Sequence, residues 1–151
     1  LYGNTISNEK WNQLGLSEIA EYRGWLDYSK DVSTLKDIDV FLQLLDDNNV
    51  SKAGWPNKLG DYLAFGKPVI LSPYGDIIDF VKNEKGFFIV EYNKYSILKI
   101  LQEIKDIPYS DLKTMGYANR QLAEKISWKN RAKNIEYICN KIRFNNETVK
   151  N

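Results

Sequence analysis

The sequence predicts an α/β fold in which a parallel β-sheet is covered by helices on both faces. Short apolar runs alternate along the chain with segments of helical periodicity, as they do in strand–helix–strand units. Residues 39–45 form a nearly continuous apolar run, and residues 69–71 are entirely apolar. Strands buried on both faces have this composition, and such strands belong to parallel sheets. The expected architecture is therefore a Rossmann-like α/β sandwich.

Each further element follows from apolar spacing and from glycine or proline breakers. In the first half of the chain we predict a strand end at 1–2, a helix at 5–14 ending at Gly15, a strand at 19–23, a helical turn at 32–36, the strand at 39–45, a polar loop at 46–54, and a helix from Pro56 to Phe65. In the second half we predict the strand at 69–71, a helix at 77–83 capped by Asp76, a strand at 87–90, an amphipathic helix carrying Ile97, Ile100, Leu101 and Ile104, and a helix capped by Ser110 or Asp111 that reaches Lys125.

A last helix is predicted from a regular apolar stripe. The stripe consists of Trp128, Ala132, Ile135, Cys139 and Ile142, at alternating steps of four and three residues. We expect Cys139, the single cysteine of the chain, to be a buried thiol. The domain is expected to span residues 1–144, and residues 145–151 read as a polar, disordered tail.

Composition excludes several classes of function. The chain has 151 residues, 21 basic and 20 acidic side chains and a formal net charge of +1, which gives no electrostatic reason to expect nucleic-acid binding. It has no histidine, so it contains no catalytic histidine and no histidine-ligated metal. The adjacent carboxylates of Asp46 and Asp47 lack further ligands at metal-binding spacing, and we predict no metal site.

The main candidate site is the start of the helix after residue 54. Backbone amides at a helix N-terminus and the helix dipole attract anions. Lys58 stands in the first turn, where the dipole disfavours a cation unless a bound phosphate compensates it. An exposed surface lysine explains the position equally well. The candidate phosphate-binding residues are Trp55, Pro56, Asn57, Lys58 and Leu59. Asp61, one turn further along, could accept hydrogen bonds from ribose hydroxyls or form a local pair with Lys58.

Two other segments follow predicted strands at the edge where ligands bind parallel sheets. Arg23, Gly24 and Trp25 could flank a nucleobase, or form an ordinary turn with a core tryptophan. Tyr74, Gly75 and Asp76 could approach a donor molecule, although Asp76 is also suited to capping a helix. The sequence contains neither a P-loop motif nor the glycine fingerprint of classical dinucleotide-binding folds.

The ordered set of motifs resembles the C-terminal domain of the group-1 family of retaining GT-B glycosyltransferases. The resemblance rests on the Asp-Val-Phe segment at 39–41 and on the segment from Pro56 to Ile70, which contains Asp-Tyr-Leu-Ala-Phe-Gly-Lys-Pro-Val. The Tyr-Arg-Gly-Trp-Leu segment at 22–26, Gly-Phe-Phe-Ile-Val at 86–90 and Ile-Ser-Trp at 126–128 extend it in the family's order. Nearly the whole chain is covered.

The resemblance implies a donor-binding domain of a two-domain enzyme. Such an enzyme transfers a hexose from a nucleotide diphosphate sugar to a glycan or lipid acceptor, with no cofactor and usually no metal ion. The acceptor site and the proton-transfer residues would lie on an N-terminal domain, so the catalytic residues are unknown in this chain. The family implies polysaccharide or glycolipid biosynthesis in the cytoplasm, with possible contact at the inner membrane face.

The chain departs from the family pattern at one functional position. The family commonly has two glutamates eight positions apart, and here those positions are Ala53 and Asp61. The family's diphosphate-clamping arginine and lysine lie upstream of Leu1, so we expect an N-terminally truncated domain in which Lys58 is the remaining candidate cation.

Three other interpretations compete with this one. They are a GT-B-fold nucleotide-sugar epimerase, a non-catalytic nucleotide-sugar-binding or partner domain of the same fold, and a response-regulator-like α/β domain. The absence of histidine and the Pro-Asn-Lys-Leu segment at 56–59 count against the epimerase, and Asp37 and Asp39 lie at the wrong end of their strand for the acidic pocket of a response regulator. The cations of the last helix, at Lys129, Arg131, Lys133, Lys141 and Arg143, are explained by a solvated helix face or by contact with anionic lipid headgroups.

Overall fold

The computed structural model describes residues 7–13, 15, 20–27 and 29–148, without the side chains of residue 8 and residues 144–148. The chain divides into two compact units, Leu1–Ile38 and Asp39–Asn151. The strand end predicted at 1–2 lies outside the described residues, as do parts of the helix predicted at 5–14 and of the strand predicted at 19–23.

The described residues of the first unit form two short helical segments. Helix α1 spans Asn8–Gln13, and a 3-10 helix spans Val32–Asp37, as predicted for residues 32–36. The buried indole of Trp11 packs against Tyr22, with ring centroids 5.5 Å apart. The strand predicted at 19–23 is wrong for residues 20–23, which adopt no regular secondary structure.

The second unit is built around a three-stranded parallel sheet. Strands β1 (Phe41–Gln43), β2 (Val69–Leu71) and β3 (Phe87–Ile89) lie in the order β1-β2-β3, and Val69 pairs with Phe41 on one side and Phe87 on the other. The central strand is fully buried. The expectation of burial on both faces is wrong for β1, because Leu42 is 42% exposed.

Between residues 39 and 148, six helices follow or connect the strands. They are α2 (Asn49–Ala53), α3 (Asn57–Ala64), α4 (Ile77–Val81), α5 (Lys94–Lys105), α6 (Tyr109–Lys125) and α7 (Trp128–Thr148). The core beside the sheet is formed by inward-facing apolar side chains of α3 and α4, namely Leu59, Leu63, Ile77 and Val81. These observations confirm the predicted Rossmann-like α/β class, a parallel sheet flanked by helices.

Helix α6 packs closely across the end of α3. A Cβ on Gly116 would lie 2.1 Å from the Gly66 carbonyl oxygen, so only a glycine permits this approach. Gly66 has a φ of 65°, which allows the chain to leave α3 and enter β2. The guanidinium of Arg120 donates a hydrogen bond to the Ala64 carbonyl, and this bond satisfies a carbonyl in the last turn of α3.

A buried asparagine of α6 is hydrogen-bonded to the segment before β2 and to the segment before β3. The Asn119 amide nitrogen donates to the carbonyl oxygens of Lys67 and Gly86, each at 2.8 Å. Asn119 is fully buried, and a Cβ on Gly86 would overlap its side chain. The side chain therefore fixes the segments that enter β2 and β3.

Three local predictions are wrong. The loop predicted at 46–54 contains α2, whose N-cap Asn48 accepts a hydrogen bond from the Ser51 amide at 2.8 Å. Asp76 does not cap α4 with its side chain, because its backbone is already helical, with φ −59° and ψ −19°. Helix α6 begins at Tyr109 after Pro108, so neither Ser110 nor Asp111 is its N-cap.

Helix α7 exists as predicted, but its apolar stripe is exposed. Trp128 is 84% exposed and Ile135 is 62% exposed. Cys139 is exposed too, so its prediction as a buried thiol is wrong. The apolar spacing predicts an amphipathic helix, but it carries no information about which element packs against the apolar face. The helix runs to Thr148, into the segment predicted as a polar tail, and residues 149–151 lie outside the described part.

Candidate functional site

The carboxyl edge of the sheet is organised by a buried serine. Ser72 follows β2 and is fully buried; its amide donates to the Gln43 carbonyl at 3.3 Å. Its hydroxyl oxygen accepts a hydrogen bond from the Leu45 amide at 2.9 Å. Ser72 thus holds the segment after β1 beside the loop after β2.

The loop at residues 72–76 presents a tyrosine at this edge. The Tyr74 hydroxyl donates a hydrogen bond to the Glu91 carboxylate at 2.8 Å, which ties the loop after β2 to the segment after β3. This hydrogen bond, followed by desolvation and by the charges of Glu91 and Asp47, raises the pKa of Tyr74 above its usual value. Tyr74 is therefore a neutral hydrogen-bonding group throughout the ordinary pH range.

Gly75 lets the same loop lie against α2. Its φ is 83°, and a Cβ there would sit 2.9 Å from the Lys52 carbonyl oxygen and 3.1 Å from that of Ser51. Asp76 is exposed beside this contact. The loop carrying Tyr74, Gly75 and Asp76 and the segment leading to α3 are consequently neighbours.

The predicted phosphate-binding segment is the start of α3. The helix begins at Asn57, and the Leu59 amide donates to the Pro56 carbonyl at 2.9 Å. The amides of Asn57 and Lys58 lie in the first turn, where no preceding turn supplies acceptors. Both side chains are exposed, whereas Leu59 is fully buried and anchors the helix.

Helix geometry places this N-terminus at the carboxyl edge of the sheet. Helix α3 connects two parallel strands and therefore runs back across the sheet before β2 begins. Trp55, just before the helix, contacts Phe80 of α4 edge to face, with centroids 5.4 Å apart. The structure thus brings the 55–59 segment near the 74–76 loop, and Asp61 lies half-buried one turn further along α3.

Trp55 also connects the segment to α7. The guanidinium carbon of Arg131 lies 6.0 Å from the Trp55 ring centroid and 5.7 Å from that of Trp128. Its Nε donates to the Ile126 carbonyl at 3.1 Å, which holds the guanidinium between the two indoles. The first turn of α7 is therefore docked beside the candidate site.

The nucleobase candidates Arg23, Gly24 and Trp25 lie in the first unit. Arg23 pairs with Glu21 at 2.8 Å, a hydrogen bond and charge that lower the pKa of that carboxyl. Gly24 has a φ of 68°, typical of a tight turn. Trp25 is 73% exposed, so the alternative of a core tryptophan is wrong. An exposed indole is free to stack against a ligand ring.

Metal ligands do not cluster in the described part of the chain, where no group of three or more histidine, cysteine or acidic side chains could hold an ion. The Asp47 carboxylate forms an ion pair with Lys52. In the same residues, no helix is both long and apolar enough to cross a membrane.

Several residues that shape the candidate site were not identified from the sequence. Glu91 is the second residue after β3, so its place just beyond a strand end could have identified it. The buried role of Ser72 and the placement of Arg131 between two indoles depend on contacts between distant segments. Sequence spacing carries no signal for such contacts.

A parallel sheet flanked by helices, with a helix N-terminus at its carboxyl edge, is the general arrangement of nucleotide-binding α/β proteins. No known protein family matches the sequence, and no curated protein does. Among solved structures the fold is similar to HepE from Anabaena, a GT-B glycosyltransferase, in complex with UDP and glucose, with a TM-score of 0.63 and 14% identity over 83% of this chain. HepE bound to UDP gives 0.61 and 16%, and HepE bound to UDP-glucose gives 0.61 and 14%. The chain spans 35% of the length of each of these structures.

Proposed function

We propose that the chain is the donor-binding part of a glycosyltransferase. It would bind a nucleotide diphosphate sugar, from which a hexose is transferred to a glycan or lipid acceptor. The observation that carries the proposal is the exposed N-terminus of α3 at the carboxyl edge of the sheet, in a fold similar to that of a glycosyltransferase solved with UDP and UDP-glucose. UDP is accordingly the first nucleotide to test.

The proposed chemistry assigns the diphosphate to the start of α3. The amides of Asn57 and Lys58 would donate to phosphate oxygens, and the Lys58 ammonium would add a positive charge. The buried side chain of Leu59, whose amide donates to the Pro56 carbonyl, sets the position of that turn. Charge that develops on the departing diphosphate would be stabilised there by fixed dipoles, which supports a metal-independent reaction.

The remaining contacts follow from position. Asp61, on the next turn of α3, is proposed to accept hydrogen bonds from ribose hydroxyls. Tyr74, Gly75 and Asp76 are proposed to face the donor sugar, because their loop adjoins the segment leading to α3. Arg23, Gly24 and Trp25 are proposed to contact the base. The residues that transfer protons are proposed to lie on an N-terminal domain.

Finer features of the proposal rest on the sequence resemblance. They are retention of anomeric configuration, a role in polysaccharide or glycolipid biosynthesis, and a cytoplasmic location. No cofactor other than the donor substrate is proposed.

A non-catalytic nucleotide-sugar-binding domain is the second candidate function. Ala53 favours it, because the methyl group at the end of α2 cannot bind a sugar hydroxyl. UDP release from UDP-glucose, measured with glycan and lipid acceptors, separates the two candidates. Binding of UDP-glucose without any turnover would select the non-catalytic one.

Calorimetric titration of the chain with UDP and UDP-glucose tests the proposed binding. Lys58→Ala is expected to weaken UDP binding by about 1–2 kcal/mol, or roughly five- to thirtyfold, since a charge-assisted hydrogen bond is lost. Lys105→Ala, an exposed lysine in the last turn of α5, is the matched control and should leave affinity unchanged. Equal affinity in both variants would remove Lys58 from the site.

A further inference from the structure

A carboxylate and a phenol meet at the carboxyl edge of β2 and β3. The two strands are parallel neighbours, so the residues that follow them lie side by side at the same edge of the sheet. Glu91 is the second residue after β3 and Tyr74 is the third after β2. The Tyr74 hydroxyl donates to Oε2 of Glu91 at 2.8 Å. Ligands of parallel sheets bind beyond this edge, so the pair lies where a ligand is expected.

The loop that carries Tyr74 holds the pair in a fixed position. Buried Ser72 anchors the start of the loop, because its hydroxyl oxygen accepts the hydrogen bond from the Leu45 amide. At Gly75 the backbone passes so close to α2 that a Cβ would lie 2.9 Å from the Lys52 carbonyl oxygen. A carboxylate oriented by such a loop is preorganised for binding, because less side-chain freedom is lost when a ligand arrives.

The capacity of the pair to accept hydrogen bonds is only partly used. A carboxylate has two oxygens with about four lone-pair sites, and a phenol oxygen that donates its proton can still accept. In the described part of the chain, Oε1 of Glu91 receives no hydrogen bond. The charge of Asp47 lies close enough to contribute to the raised pKa of Tyr74, so a second carboxylate is nearby. This edge therefore complements a ligand that carries several hydroxyl donors.

We propose that Glu91 accepts hydrogen bonds from hydroxyl groups of the hexose in the bound nucleotide sugar, and that Tyr74 is the positioning residue that orients its carboxylate. The inference rests on the proposed function, since it adds a contact for the sugar to the site assigned to the diphosphate. A hydrogen bond with an ionised acceptor is roughly twice as strong as one between neutral groups. Glu91 therefore stabilises the bound sugar and not the free nucleotide.

The arrangement of the strands favours the hexose over the ribose as the group at Glu91. The start of α3 belongs to the connection between β1 and β2, whereas Glu91 follows β3 on the far side of the central strand. Neighbouring strands lie about 5 Å apart, so β1 and β3 are about 10 Å apart. A ligand with its diphosphate at α3 reaches Glu91 through a group bonded to the diphosphate. The ribose is already assigned to Asp61 on α3, and the hexose carries more hydroxyls.

Calorimetric titration with UDP-glucose and with UDP tests the contact by difference. Glu91→Ala should weaken UDP-glucose binding about tenfold or more, because a charge-assisted hydrogen bond to the sugar is lost. It should not weaken UDP binding, because UDP has no hexose. Glu103→Ala removes an exposed carboxylate of α5 and is the matched control, which should change neither affinity.

Tyr74→Phe tests the positioning role. Without the phenol hydroxyl the carboxylate loses its fixed orientation, so UDP-glucose binding should weaken relative to UDP binding. Glu91→Ala should then have a smaller effect in the Tyr74→Phe background than in the parent chain, because the two residues act together. Tyr95→Phe on α5 is the control and should leave both affinities unchanged. Circular dichroism verifies that each variant keeps its helices.

The ratio of the two affinities separates this proposal from the proposed function. If the parent chain binds both ligands and Glu91→Ala leaves the ratio unchanged, the contact with the hexose is refuted while the diphosphate site stands. Equal weakening of both ligands is one such result, since the carboxylate would then support the loop or contact the ribose. A folded parent chain that binds neither ligand would contradict the proposed function, and this inference with it.

Discussion

Asn119 shows how one side chain can hold several segments of this fold in place. Its amide nitrogen donates to the Lys67 carbonyl before β2 and to the Gly86 carbonyl before β3. Its Oδ1 is buried without a hydrogen-bond partner among the described residues. A buried polar side chain is retained at such a place because its two donated bonds replace bonds that the carbonyls would make with water.

Asn119→Ala is expected to destabilise the chain by about 2 kcal/mol, because two buried carbonyls each lose a hydrogen bond. Denaturant unfolding followed by circular dichroism measures the change. Asn83→Ala, at an exposed turn position, is the control and should stay within about 0.5 kcal/mol of the parent chain. Equal stabilities would show that the Asn119 bridge contributes nothing.

Tyr74 gives a prediction about pH. Its pKa is raised in the folded chain, chiefly by the hydrogen bond to Glu91, so the folded state holds this proton at pH values where the unfolded state has lost it. The stabilising contribution is complete below the unfolded value of about 10 and is lost as pH rises through the folded pKa. The difference in phenolate absorbance between the parent chain and Tyr74→Phe isolates this titration.

Glu91→Gln is the control for the cause of that shift. Removing the carboxylate should move the Tyr74 titration down toward its ordinary value. A Tyr74 titration that is already ordinary in the parent chain, or unaffected by Glu91→Gln, would refute the hydrogen bond between the two side chains.

Helices α3 and α6 offer a matched pair of glycine substitutions. A Cβ on Gly116 would collide with the backbone at Gly66, whereas a Cβ on Gly60 would enter open space. Gly116→Ala should therefore destabilise by about 1–3 kcal/mol through overpacking. Gly60→Ala should stabilise by up to about 1 kcal/mol, because alanine favours a helix. If both variants shifted the unfolding midpoint in the same direction from the parent value, the close packing of Gly116 against Gly66 would be contradicted.

The elements that the sequence predicted well are those with strong local signals. The bounds of β2 match residues 69–71, since Pro68 precedes an uninterrupted apolar run, and α3 lies within the predicted 56–65. Helix α2 was missed because it is five residues long and lacks an apolar face. Its asparagine N-cap was visible in the sequence, but a short polar helix competes poorly with a loop interpretation.

The predictions that were wrong concern burial, which depends on contacts with other elements. The spacing along α7 predicts an apolar face correctly, yet burial of Cys139 requires a neighbouring element. The same reasoning applies to Leu42 on β1. For the candidate site, the helix start and the loop at 74–76 were predictable from their positions after strands. Their connections through Ser72, Glu91 and Arg131 were not, because these are contacts between distant segments.

At the scale of the whole molecule, a small parallel sheet carries the exposed N-terminus of α3 at its carboxyl edge. Ligands of open α/β sheets bind at that edge, which is the physical basis for placing a nucleotide diphosphate there. At 14% identity, the similarity to HepE concerns the fold.

Amide chemical-shift mapping of the isotope-labelled chain with UDP tests the central claim most directly. We predict saturable shifts at Asn57, Lys58 and Leu59 and in the loop of Tyr74 to Asp76, with the α5 amides unchanged. Shifts confined to other surfaces, or none at all in a chain whose spectrum shows it to be folded, would contradict the proposal that this edge of the sheet binds a nucleotide.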